Sequence, residues 1–171
     1  IRDRTGSRGL GDVYKRPDLT NTLVSGSSVV VAGTALVTVS DDAFTTSSAT
    51  IAATALSDIG GKTSGTVTVT KAVKITGSTA DLTNTMVSGS SSVTAGTALV
   101  TVSDAAFASS STAIAATDLS NIGGKTTGAV TLANKVRLQG SQSEVATALV
   151  GDSSVVASKA NTEARVTSVV N

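Results

Sequence analysis

The chain repeats itself at a fixed step, and that step limits what it can fold into. Asp18-Leu19-Thr20-Asn21-Thr22 returns as Asp81-Leu82-Thr83-Asn84-Thr85. The run from Gly33 to Asp41 returns unchanged from Gly96 to Asp104, and Ile59-Gly60-Gly61-Lys62-Thr63 returns as Ile122-Gly123-Gly124-Lys125-Thr126. The offsets 81 − 18, 96 − 33 and 122 − 59 all equal 63. An unbroken step marks a supersecondary unit copied in tandem, and such units bury their apolar faces by stacking on one another. A third copy opens at Val136 and holds register to Val150, with Gly140 matching Gly77 and Leu149 matching Met86. Beyond Ser154 the match fades. The expected organisation is a first copy over 18–80 without its opening strand, a second over 81–143, and a partial, divergent third over 144–171. The chain reads as a piece of a longer array.

Residues 1–16 have no counterpart in the copies. Ser7-Arg8-Gly9-Leu10-Gly11-Asp12-Val13-Tyr14-Lys15-Arg16 resembles one reading frame of a transposon-based sequencing-library adapter, and Ile1-Arg2-Asp3 resembles the end of that adapter in another frame. Pro17 departs from the adapter, where Gln would follow. The resemblance implies that residues 1–17 are a non-native scar or a disordered arm, to be set aside in fold reasoning. The competing reading is a natural basic arm.

Setting the segment aside reverses the charge. It holds five of the 13 basic residues and two of the 12 acidic ones, so eight and ten remain and the formal charge moves from +1 to −2. A weakly acidic remainder gives no reason to expect nucleic acid or an anionic membrane as partner. Cysteine and histidine are both absent, which excludes a disulfide framework, thiolate metal sites and imidazole catalysis. No run approaches the roughly 18 apolar residues of a spanning helix, so membrane insertion is not expected.

Within the copies, Val67-Thr68-Val69 and Val73-Lys74-Ile75 alternate apolar and polar residues, as half-buried strands do. Ser78 and Asp81 form a capping-box pattern, and Ser141 with Glu144 repeats it one copy later. The short helix that follows sets Leu82 and Met86 on one face and stops at Ser88-Gly89. Ala98 to Val102 alternates again as a strand. Ile114 to Ile122 reads as a helix with Ala115, Leu119 and Ile122 on one stripe, stopped at Gly123-Gly124 by a left-handed C-cap that Lys125 favours electrostatically. The order is strand, helix, strand, helix. The two halves echo one another: Asp81-Leu82-Thr83-Asn84 resembles Asp118-Leu119-Ser120-Asn121, and Glu144-Val145 follows after a shorter interval. Connections of that length suit parallel strands joined through helices. The fold class expected is therefore α/β, a strand–helix repeat solenoid with parallel strands. Tandem all-β sandwich modules are the alternative, weakened by the capping boxes and the Gly-Gly stops.

Candidate sites all have plainer explanations. Gly60-Gly61-Lys62-Thr63 and its copy look like the end of a phosphate-binding loop, but Leu56 and Leu119 stand where that motif needs glycine. Both copies also follow a helix instead of preceding one. Asp41-Asp42 could contribute to a calcium site, yet Ala105 replaces Asp42 in the second copy and no acidic calcium loop is present. Serines and threonines are many, but without His or a Ser-x-x-Lys pattern no base activates them. Lys71, Lys74 and Arg137 are expected to face solvent. Phe44 and Phe107, one copy apart, are expected as buried anchors beneath the Ser/Thr-rich connections. No residue is assigned to catalysis, to cofactor binding or to metal ligation, and no cofactor is implied.

Ile75-Thr76-Gly77-Ser78-Thr79-Ala80-Asp81-Leu82, Val100-Thr101-Val102-Ser103-Asp104 and Asp118-Leu119-Ser120-Asn121-Ile122-Gly123-Gly124-Lys125-Thr126-Thr127-Gly128 together resemble a tandem repeat of very large surface or secreted proteins of marine bacteria and cyanobacteria. Such repeats occur beside calcium-binding haemolysin-type modules, whose glycine-rich nonapeptides are missing here. The resemblance spans essentially 18–154. It implies an extracellular or cell-surface location and a role as stalk, spacer or adhesive surface, not an enzyme. The implied partners are adjacent repeats of the same chain, and other surface proteins or glycans. A phage or virion fibre segment is the alternative.

Overall fold

The computed structural model describes residues 16–25, 32–45, 50–88, 93–108, 113–151 and 162–166. Its strands are β1 (Val37–Val39), β2 (Ile51–Ala52), β3 (Val67–Val69), β4 (Lys74–Gly77), β5 (Val93–Thr94), β6 (Leu99–Val102), β7 (Ile114–Ala115), β8 (Val130–Leu132), β9 (Val136–Gly140) and β10 (Thr162–Val166). Its helices are α1 (Arg16–Leu19), α2 (Ala53–Gly60), α3 (Thr79–Leu82), α4 (Ala116–Gly123) and α5 (Gln142–Ala146). The molecule is mixed α/β, and every strand pair among the described residues is parallel. Helices and uniformly parallel pairing replace the all-β sandwich alternative.

The local causes are readable. The Val-Thr-Val and Val-Thr-Leu strands bury alternate residues, so β1, β3 and β8 each send two apolar side chains inward and one threonine outward. The capping boxes are made: the Ser78 hydroxyl accepts from the Asp81 N–H at 3.2 Å, and the Ser141 hydroxyl from the Glu144 N–H at 3.3 Å. Beyond each of α1, α3 and α5 the helix widens into one π-helical turn, over Thr20–Val24, Thr83–Val87 and Thr147–Gly151. Ser88 N–H closes the second of these on the Thr83 carbonyl at 2.8 Å. Leu82 and Met86 are both buried across that junction, as their spacing requires.

Three sheets result, in the orders β1-β3-β5, β2-β4-β6-β8 and β7-β9-β10. Partners such as Ile51 and Ile75, or Val100 and Val130, come from successive half-copies of the chain. The helices start at Arg16, Ala53, Thr79, Ala116 and Gln142, a longer interval alternating with a shorter one. Each packs on the next in a single row, α1 through the π turn that extends it. The echo from Asp81 to Asp118 to Glu144 in the sequence is thus the spacing of the helices. Between helices and sheets runs one apolar core in which Ile51, Leu56, Ile59, Ile75, Leu82, Leu119, Ile122 and Leu138 are at most 2% exposed. Each such side chain contributes about 1.5–3 kcal/mol by leaving water.

Copies do not superpose sheet on sheet. β1 and β6 occupy the same repeat position, yet β1 belongs to the first sheet and β6 to the second. β2 and β7, β3 and β8, and β4 and β9 are displaced likewise. The second copy therefore has these strands one sheet on from those of the first.

Several expectations are corrected. From Thr66 to Gly128 the order is strand, strand, helix, three strands, helix. Ile114 and Ala115 form a short strand, and α4 begins only at Ala116, so Ala116 and not Ala115 joins Leu119 and Ile122 in the core. The cap residues Gly61 and Gly124 have φ of −67° and −66°, so these helices do not end in the left-handed conformation. The third copy keeps register through β9 and α5. Leu138 then pairs with Ala164, whereas Ile75 one copy earlier pairs with Val100, so β10 carries a one-residue slip. Arg16 and Pro17 already belong to α1. Residues 1–15 and the Ser/Thr-rich stretches 46–49 and 109–112 lie outside the described residues.

Candidate functional site

The loop that resembles a phosphate-binding motif joins one stretch of chain to the preceding one. α4 ends at Gly123, and the next residues turn back so that Thr126 is buried, 6% exposed. Its hydroxyl donates to the Ala98 carbonyl at 2.6 Å, lies 3.2 Å from the Gly96 carbonyl, and accepts from the Gly128 N–H at 2.9 Å. Thr127 N–H adds a bond to the Gly96 carbonyl at 2.9 Å. One copy earlier Thr63 repeats the arrangement, donating to Ala35 at 2.6 Å and accepting from Gly65 N–H at 2.9 Å. The clamp therefore covers backbone just beyond β5, the last strand of the first sheet. Carbonyls at a sheet's end would otherwise lack partners or invite another strand.

The glycines here have different reasons. A Cβ on Gly128 would sit 2.2 Å from the Ala98 carbonyl oxygen, and one on Gly65 2.3 Å from that of Ala35. The clamp closes only because nothing projects there. Gly96, with φ +56°, supplies the left-handed turn that aims its carbonyl at Thr126 and Thr127.

Phe44 and Phe107 are equivalent, as expected, but not buried anchors. Both are half-buried, and each lies under a cation: Lys74 Nζ is 5.0 Å from the Phe44 ring centre, and the Arg137 guanidinium carbon 3.7 Å from that of Phe107. Their backbone N–H groups bond to the carbonyls of Ala72 at 2.9 Å and Lys135 at 2.6 Å. The rings thus side with the strand cations on the surface instead of entering the core. Lys74 and Arg137 are correspondingly half-buried, and Arg137 also pairs with Glu163 at 2.8 Å. Of the three cations expected to face solvent, Lys71 alone is exposed.

Asp42 pairs with Lys71 at 3.0 Å on the surface. Asp104, the counterpart of Asp41, accepts from Thr79 N–H at 2.7 Å and from its hydroxyl at 2.6 Å, which ties the start of α3 to the end of β6. Of the acidic pair read as a possible calcium contributor, Asp42 is thus held by Lys71. Among the described residues no three His, Cys, Asp or Glu side chains converge as a metal site, and no helix is long and apolar enough to cross a membrane. The Thr63 and Thr126 hydroxyls are what motif reading passes over, although their return in register with two glycines was the available signal.

No protein-family model, curated protein or solved structure matches this chain.

Proposed function

We propose that the chain is part of a strand–helix solenoid, a structural repeat segment of a large bacterial extracellular or cell-surface protein, serving as stalk, spacer or adhesive surface. One observation supports this most: strand pairings and threonine clamps alike join one winding of the chain to the next, Ile51 to Ile75 in the one case and Ala98 to Thr126 in the other. A unit whose polar and apolar bonds face its own neighbours is built to be stacked. The reading gives the chain no catalytic role. Its partners are adjacent repeats, with other surface proteins or glycans along the outer side.

The experiment lengthens the chain by in-register copies of residues 81–143 inserted after Ser143. Stacking requires the melting temperature and the length measured by small-angle scattering to rise together with copy number. An unchanged melting point, with copies behaving as independent beads, overturns the reading. A trimer in sedimentation would instead favour a virion fibre.

A further inference from the structure

The two sides of this array advance at different rates. β2, β4, β6 and β8 are successive neighbours in one sheet, while α2, α3, α4 and α5 are successive neighbours in the helix row over the same stretch. One helix therefore accompanies each step across the sheet. Neighbouring strands lie about 4.8 Å apart, and packed helices about 8–10 Å apart. Three steps advance the strands by about 14 Å and the helices by about 24–30 Å. A stack with unequal sides bends, strands inside and helices outside.

Bending alone would close the array into a ring. The displacement of strands by one sheet per copy prevents that, because β6 does not return to the sheet of β1, nor β9 to that of β4. A sideways step added to a bend, repeated over many copies, gives a coil instead of a ring.

Resting on the stacking reading above, we propose that the array is a spring: an open superhelix that lengthens reversibly under tension before any winding leaves the stack. Uncoiling spreads a small change in strand and helix spacing over every step, so no hydrogen-bonded pair need break. A surface protein would gain from this a tether that yields to flow and recovers.

The test takes the full chain lengthened by several copies of residues 81–143 after Ser143, held by both ends in an optical trap and imaged by negative-stain microscopy. The spring gives coiled filaments, with stretching and relaxation curves that superpose up to the first abrupt rupture. Straight rods, or filaments that lengthen only by abrupt rupture, overturn it while leaving the stacking reading intact. Beads joined by slack chain overturn both.

Discussion

The Thr126 hydroxyl and the Ala98 carbonyl meet at 2.6 Å across 28 residues of chain, and Thr63 meets Ala35 at the same distance one copy earlier. The hydroxyl also receives the Gly128 N–H. Thr126→Val keeps the shape but leaves that N–H and the Ala98 carbonyl without this partner. The expected loss is about 1–3 kcal/mol, with Thr126→Ser retaining most of the stability. Urea unfolding of the three proteins side by side measures both.

Gly128→Ala and Gly124→Ala should act in opposite directions. The first drives a Cβ to 2.2 Å from a backbone oxygen, whereas the second places one at an ordinary 3.6 Å on a residue with helical φ of −66°. Gly124→Ala should stabilise by about 0.4–1 kcal/mol through the unfolded chain's lost freedom. Gly128→Ala should lower the midpoint. Equal responses would mean that the close approach is not there.

Phe107→Ala should cost less than a core deletion. A half-buried ring under a guanidinium contributes about 0.5–2 kcal/mol through that contact, against about 2–5 kcal/mol for Leu119→Ala in the core. A double-mutant cycle with Arg137→Gln isolates the contact. The coupling should exceed that of Phe44 with Lys74, whose cation sits farther off, at 5.0 Å.

Acid should loosen the start of α5. Ser141 backbone N–H donates to the Glu144 carboxylate at 2.7 Å, and this bond, followed by the Ser141 hydroxyl, holds its pKa below the ordinary glutamate value. A folded-state pKa below the unfolded one makes the stabilisation complete above the unfolded value and lost as pH falls through the folded one. Glu144→Gln should remove that part of the acid-side slope in stability, measured from neutral pH downward through the carboxylate range.

The repeat step, both capping boxes and the strands β3, β4 and β6 were legible because each rests on a pattern written along the chain. A serine three places before an acid, or alternation over three or more residues, is a signal short-range physics can carry. Val93–Thr94 and Ile114–Ala115 were not legible. A two-residue strand has no period, and its identity comes from the neighbour it pairs with, Val67–Thr68 or Leu138–Gln139. Ile114 and Ala115 lengthen the apparent helix for the same reason. Ring size suggests burial for Phe107, while the cation that holds it at the surface comes from Arg137, in a later strand. The role of Thr126 is hidden in the same way, since its acceptor, Ala98, lies 28 residues earlier in the chain.

No strand partners among the described residues lie farther apart along the chain than Val37 and Val67 or Val100 and Val130, although all the pairing is parallel. Parallel sheets are usually slow to form because their strands must find one another across long stretches of chain, and closing those stretches costs entropy before any contact repays it. In this chain the search has a fixed length. In the stacked array proposed above, adding a copy adds more pairings of the same short reach, so a long array faces no longer a search than a short one. Assembly can begin at any formed pair of neighbours and travel outward in both directions, and the time to complete it grows with the number of copies and not with the distance between its ends.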